Sequence, residues 1–320
     1  MNSALFYLFI ALSVTWGQPG DWAKVYKEVG LNSSVSGALN TLSVEEKEMG
    51  WELLFDGENL GLPWKKYGDS ILNSGWIARD ESIHRLSGGG TIMYEKKYTD
   101  FVFAIEWKLA EGGNSGIFFH GNKKTRLMYQ NAIEMQVLDN VKHPDRYVPS
   151  HMAGAIYDVY APTHNGVEGY DPTFKEAGKS AGFNKVLIIV SGNHHEFWLN
   201  GIKTVEYEWN SEDWKLRIEN SKFKKYKFYG KDSSGFFGLQ DHTSYSWFRN
   251  IKVRPLPANA SQKQIWVGKG VGIKVSPGSV LKKKGLSLSF EKGEGYNIKG
   301  QSTQTNEKKK SSMNSGIYLR

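Results

Sequence analysis

By residue type and spacing, the side chains best suited to chemistry are Glu134, Gln136 and Asp139, two carboxylates and an amide within the otherwise apolar run 133–140. An extended chain sends alternate side chains to opposite faces. Glu134 and Gln136 therefore share one face, and Met135 and Val137 the other. Asp139 falls on the apolar side unless an extra residue, a β-bulge between Val137 and Leu138, returns it to the row of Glu134 and Gln136. Such a row would be the floor of an active or binding site, and the same pattern also describes the solvated face of an antiparallel sheet. Other potential donors and bases are Asn114, His151, Tyr157, Gln240, Asp241 and His242.

A divalent metal could be held by His143, His151, Asp139 and Asp145, although neither His-x-His nor His-Glu-x-x-His spacing occurs, and surface loop histidines read the same way. His194 and His195 flank a hairpin turn and are expected in solvent. Arg249 is expected to pair with a carboxylate, with Asn250 structural beside it. The chain has no cysteine, which excludes disulfides, thiolate metal sites and a cysteine nucleophile. The net charge is +8, but residues 258–320 carry 12 Lys and Arg against 3 Glu, a surplus of nine, leaving 1–257 at −1. A near-neutral body with a basic tail argues against nucleic acid as a partner.

The elements that must position these residues read as strands. Aromatic residues make up 13% of the chain, with 35 glycines to turn it. Phe101–Leu109 alternates large apolar with smaller or polar residues, and 114–120 opens on Asn-Ser-Gly, whose small bulk would let a ligand approach the backbone. Residues 185–205 form two successive hairpins, the second turning at Asn200-Gly201, and strands follow at 235–242 and 245–253. Between them, 141–183 is a long irregular stretch in which only Met152–Tyr157 is apolar enough to pack inward. Upstream, the apolar run Ala4–Val14 has the length of a signal-peptide core. That makes 1–17 a leader with export as its consequence and no membrane span in the mature chain, the alternative being a buried strand. Residues 18–50 form a polar lead-in with a capping box at Ser43–Glu46. A domain spans 51–257, and 258–320 form a basic, weakly ordered appendage or truncated module. Short strands at regular spacing predict an all-β sandwich of two antiparallel sheets.

Seven motifs carry a resemblance: Trp51–Gly57, Asn114–Ile117, Glu134–Asp139, Gly154–Tyr157, Leu199–Gly201, Gly238–His242 and Phe248–Ile251. In order and spacing they resemble the 3-keto-disaccharide hydrolase domain family over about Trp51–Leu256. One departure is Phe183-Asn184, where the family has Trp-Asn. The resemblance implies a concanavalin A-like jelly roll in a secreted or periplasmic bacterial protein, acting on an oligosaccharide or glycoside whose C3 is a ketone. Such a ketone acidifies the neighbouring C–H, so the glycosidic bond can break by elimination and the product take up water. Glu134 or His151 would then be the base and His242 the acid. Asn114, Gln136 and Tyr157 would be donors, with Gln240 and Asp241 in the matched motifs also on the substrate. No cofactor is implied with certainty. A divalent metal, with Asp139 among its ligands, stays open.

Two other functions compete. The spacing of Glu134, Gln136 and Asp139 resembles the catalytic strand of lectin-fold glucanases. A retaining glycosidase, however, needs carboxyls about 5 to 5.5 Å apart, and residues five apart on a strand start well beyond that. A non-catalytic sugar-binding module is the other reading, since the fold also serves lectins. A pocket where Glu134 and His242 converge favours an enzyme; an open aromatic platform favours a lectin.

Overall fold

The computed structural model describes residues 22–31, 38–162 and 182–267. The expected leader, part of the irregular stretch 141–183 and most of the basic tail lie outside them.

The strands are β1 (Glu52–Leu53), β2 (Trp64–Lys66), β3 (Trp76–Arg79), β4 (Ser82–Arg85), β5 (Ile92–Tyr98), β6 (Phe101–Leu109) and β7 (Asn114–Gly121). They continue with β8 (Ile133–Leu138), β9 (Asn184–Ser191), β10 (His194–Leu199), β11 (Ile202–Glu208), β12 (Gly235–Leu239) and β13 (Ser246–Pro255). One sheet runs β11-β10-β9-β6-β13-β4-β3 with β1 added on β13, and the other runs β2-β5-β12-β7-β8. The pairing within both sheets is antiparallel. This is the expected concanavalin A-like sandwich.

The core follows from the two-residue period. Phe101, Phe103, Ile105, Trp107 and Leu109 of β6 face Ile117 and Phe119 of β7, Ile133, Met135 and Val137 of β8, and Phe237 and Leu239 of β12. Phe237 stacks on Phe103 at 4.2 Å between ring centroids, a contact that joins the two sheets. Burying each such ring contributes roughly 1.5–3 kcal/mol. The second hairpin turns as its sequence requires, with φ of 50° at Asn200 and 82° at Gly201. The capping box forms too, with Ser43 Oγ accepting from the Glu46 amide and Glu46 accepting from the Ser43 amide, at the start of α2 (Val44–Glu48).

The outer face of the larger sheet is covered. Helix α1 (Trp22–Glu28) lays Tyr26 onto Val102, Ala104, Leu187 and Ile189, together with Trp51. The domain runs past the boundary expected at residue 257. Ala260, Ile265 and Trp266, around the short helix Gln262–Ile265, pack into the same apolar cluster, and Arg254 donates to the carbonyls of Gln264 and Ile265. Ile265 and Trp266 thus have a buried partner surface. Among the described residues, no helix is long and apolar enough to cross a membrane.

Candidate functional site

Strand β8 puts Ile133, Met135 and Val137 into the core, so Glu134 and Gln136 stand on the face of the smaller sheet turned away from it. The expected bulge is not there. The register from Asn114↔Leu138 to Phe119↔Ile133 is unbroken, and Asp139 does not join the row. Its carboxylate, fully buried, accepts from the amides of Gly112, Val141 and Lys142. A short carboxylate at a strand end turns the chain more readily than it reaches five residues back, because three amides there would otherwise be left unpaired.

The free edge of β8 is closed by 154–157, part of the stretch Met152–Tyr157 expected to pack inward. Gly154 donates to the Gln136 carbonyl, the Gln136 amide donates to Ala155, and the Tyr157 amide donates to the Glu134 carbonyl at 3.1 Å. This pairing stands Tyr157 beside Glu134. Gly116 supplies the room on β7, since a Cβ there would lie 2.2 Å from Glu134 Oε1. The space that the sequence suggested for a ligand is therefore taken by the Glu134 side chain.

The result is a cavity of about 300 Å³. Asn114, Glu134, Gln136 and Gln240 form its polar floor, Tyr129, Tyr157, Phe223 and Tyr226 its aromatic walls, and Lys222 and His242 complete it. Gln240 Nε2 donates to Glu134 Oε1 at 2.9 Å. Burial pushes the Glu134 carboxyl up to about 8, against the opposing pull of Lys222 and the Gln240 hydrogen bond. At that value the protonated form predominates at pH 7. Burial and the Glu134 charge likewise push the Tyr157 hydroxyl up to about 12, so it stays a donor. Asn114 Oδ1, Gln136 Nε2 and Gln240 Oε1 are buried with no hydrogen-bond partner. Unmet amide atoms cost roughly 1–3 kcal/mol each, and three of them on one floor, two acceptors and a donor, suit a polyhydroxylated ligand.

Six of the residues singled out in the sequence thus line one cavity: Asn114, Glu134, Gln136, Tyr157, Gln240 and His242. Three do not. His151 is behind the wall, its ring 4.5 Å from that of Tyr157 and its nitrogens 3.4 Å from Asp145 and 3.3 Å from Asp158. Asp241 turns away from the cavity, pairing with Arg85 at 2.6 Å and accepting from the amides of Gly90 and Thr243. Asp139 is the turn carboxylate described above, its oxygens accepting from three backbone amides. Among the described residues, the group whose ligating atoms come within 4.8 Å of one another is elsewhere, His194, Glu196 and Glu206, with Lys203 paired to both glutamates.

His195 also departs from expectation. It is fully buried, its Nδ1 2.6 Å from the Tyr207 hydroxyl, because β10 already begins at His194 and its alternation puts His195 on the core side with Phe197 and Leu199. Arg249 is structural as expected, 2.8 Å from Glu106, and Asn250 exchanges two hydrogen bonds with Asn40. Besides Tyr129, sequence reasoning missed Lys222, Phe223 and Tyr226. They come from a 3-10 turn, Lys222–Lys225, and its C-terminal cap, just after α3 (Glu212–Glu219). The Ser211 and Ser221 caps were the available signals.

A family model for the 3-keto-alpha-glucoside-1,2-lyase-like domain matches residues 50–254. A curated 3-keto-disaccharide hydrolase from Bacteroides thetaiotaomicron is 28% identical over 252 residues, 68% of this chain and 82% of that protein. A crystal structure of a candidate glycosyl hydrolase from Parabacteroides distasonis superposes with a TM-score of 0.59 at 27% identity, covering 69% of this chain and all of that one. A second structure from the same organism, described in the same words, has a TM-score of 0.47 at 25% identity and covers 60% of this chain and 99% of its own.

Proposed function

This chain belongs to the 3-keto-alpha-glucoside-1,2-lyase-like domain family, and on that premise we propose that it cleaves 3-keto-glycosides by elimination followed by hydration. That it is a glycoside-cleaving enzyme of some kind accords with its hydrolase relatives. The observation that carries the finer reading is that Glu134 is the one carboxylate among the lining residues described. Double displacement needs a second carboxyl about 5 to 5.5 Å away, whereas elimination needs one base.

The Glu134 carboxylate takes the C2 proton, and the C–H electrons move into C2–C3, leaving an enolate oxygen at C3. When the C3 carbonyl re-forms, a C1–C2 double bond forms and the C1–O bond breaks. His242 gives a proton to the departing oxygen and regains one from the water that adds later. Water then adds across C1–C2, hydroxyl to C1 and proton to C2, for a net uptake of one water. Gln136 Nε2 is free to donate to the developing oxyanion, and Asn114 Oδ1 and Gln240 Oε1 to accept from sugar hydroxyls. Glu134 and His242 on one concave cavity also favour catalysis over a lectin with a flat aromatic platform. Export through a leader at 1–17 belongs to the same reading, supported by the apolar run Ala4–Val14.

A panel of 3-keto and unoxidised disaccharides tests this. The expected result is release of both sugars from the keto compounds alone. Equal cleavage of the unoxidised sugars, or binding of either without cleavage, would contradict it.

A further inference from the structure

Lys222 is the charged cavity residue for which the steps above have no use. Its Nζ is 3.8 Å from the centroid of the Tyr157 ring and 5.3 Å from that of Phe223, held by aromatic faces. No carboxylate among the described residues lies within ion-pair distance of it, whereas Lys185, Lys203 and Lys252 all have one. Its backbone is anchored, since its amide donates to Asp158 Oδ2 at 2.8 Å, and the same carboxylate meets His151. Lys222 is an exposed residue, and an ammonium group over aromatic rings at a cavity wall without an ion-pair partner is a site for negative charge that arrives with, or develops on, the ligand.

We propose that Lys222 is a catalytic residue whose ammonium group stabilises the enolate oxygen formed when Glu134 removes the C2 proton. This rests on the reaction assigned in the preceding subsection. The balance of charge in the cavity favours it. With Glu134 protonated, the cavity carries the Lys222 charge uncompensated. When Glu134 is ionised and then hands its negative charge to the sugar, that charge moves within the field of one fixed cation. The groups facing the pair from the packed elements are Tyr157, Asp158 and Asp145 on the irregular segment, Tyr226 and Tyr229 after α3, and Gln240 beyond β12. Of these, Asp158 is engaged by the Lys222 amide and His151, and Asp145 by His151.

The test combines two measurements on the intact protein. A carbon-13 NMR titration of the Glu134 carboxyl reads its midpoint without any substrate, and kcat and KM are measured on a 3-keto-glucoside. Lys222→Met is expected to raise the Glu134 midpoint above about 8, because the cation that opposes burial is gone. It is also expected to lower kcat by about 10² to 10³-fold with little change in KM. Lys222→Arg keeps the charge and is expected to restore the midpoint and most of kcat. Equal losses of kcat in both variants with an unmoved midpoint would reduce Lys222 to a wall of the cavity and overturn the proposal, as would unchanged kcat in Lys222→Met. If the wild type leaves the 3-keto-glucoside intact, the assigned reaction fails, and the proposal falls with it whatever the titration shows.

Discussion

Two buried glutamates on opposite sheets of this protein are treated in opposite ways. Glu106, on β6 of the larger sheet, is 4% exposed and lies 2.6 Å from Lys185 Nζ and 2.8 Å from Arg249 Nε. Burial pushes its carboxyl up, but the two cations outweigh that and hold it below the ordinary range. Glu134, on β8 of the smaller sheet, is 2% exposed and has one amide donor, with burial winning. Similar burial thus gives a permanent anion in one place and a carboxyl that titrates near working pH in the other. The difference is the distance to positive charge. A paired carboxylate fastens three strands together. An under-paired one is available for proton transfer.

Exchanging each carboxyl for its amide isostere should separate these roles. Glu134→Gln is expected to lower kcat on a 3-keto-glucoside by about 10² to 10⁴-fold, the range of a lost general base. Glu106→Gln is expected to leave kcat per folded molecule within a factor of two of wild type, but to lower stability by roughly 2–4 kcal/mol. It leaves Lys185 and Arg249 partly uncompensated, and both are about a fifth to a quarter exposed, which tempers the loss. Chemical denaturation alongside steady-state kinetics would show both, and a Glu106 variant that is stable yet inactive would break the contrast.

The pH dependence of stability sharpens it further. A carboxyl raised to about 8 in the folded state contributes fully below its unfolded value, near 4.5. Above that the unfolded chain ionises first, and stability falls until the pH passes about 8. Removing Glu134 as Gln should therefore leave stability near wild type at pH 4 and raise it by a few kcal/mol at pH 9, since each tenfold change in proton affinity is worth about 1.4 kcal/mol. Glu106→Gln should show the reverse slope, because a lowered carboxyl stabilises above its unfolded value. Denaturation midpoints at the two pH values decide this, and parallel curves for the two variants would contradict it. The smallest expected effect is at Gly116. A methyl group there must displace the Glu134 carboxylate, so Gly116→Ala is expected to cut kcat by roughly 10-fold to 10²-fold. An unchanged kcat would show that the carboxylate position is not critical.

How far these roles were legible in the sequence depends on the range of the interactions involved. β6 was readable to the residue, because alternation is a property of the strand itself. So were the Asn200-Gly201 turn and the Ser43–Glu46 cap, each a contact between near neighbours in the chain. The facing of Glu134 and Gln136 followed from the same period. What the sequence did not show was set by partners far along the chain. His195 is turned inward by Tyr207 across the hairpin. Asp241 is drawn away from the cavity by Arg85. Lys222 and Tyr226 reach Glu134 only because the sheet and the segment after α3 come together in space. Asp139 is a local case that still misled, because a bulge and a capped turn both follow a strand end, and only the amides of 112, 141 and 142 distinguish them.

The central claim is that Glu134 removes the proton from C2 of a 3-keto sugar. Comparing kcat for a 3-keto-glucoside carrying hydrogen or deuterium at C2 tests it most directly, with Glu134→Gln as the control. Wild type is expected to turn over the deuterated compound several-fold more slowly and Glu134→Gln to lose turnover of both. Equal rates for the two isotopologues, together with a Glu134→Gln variant as fast as wild type, would contradict the account.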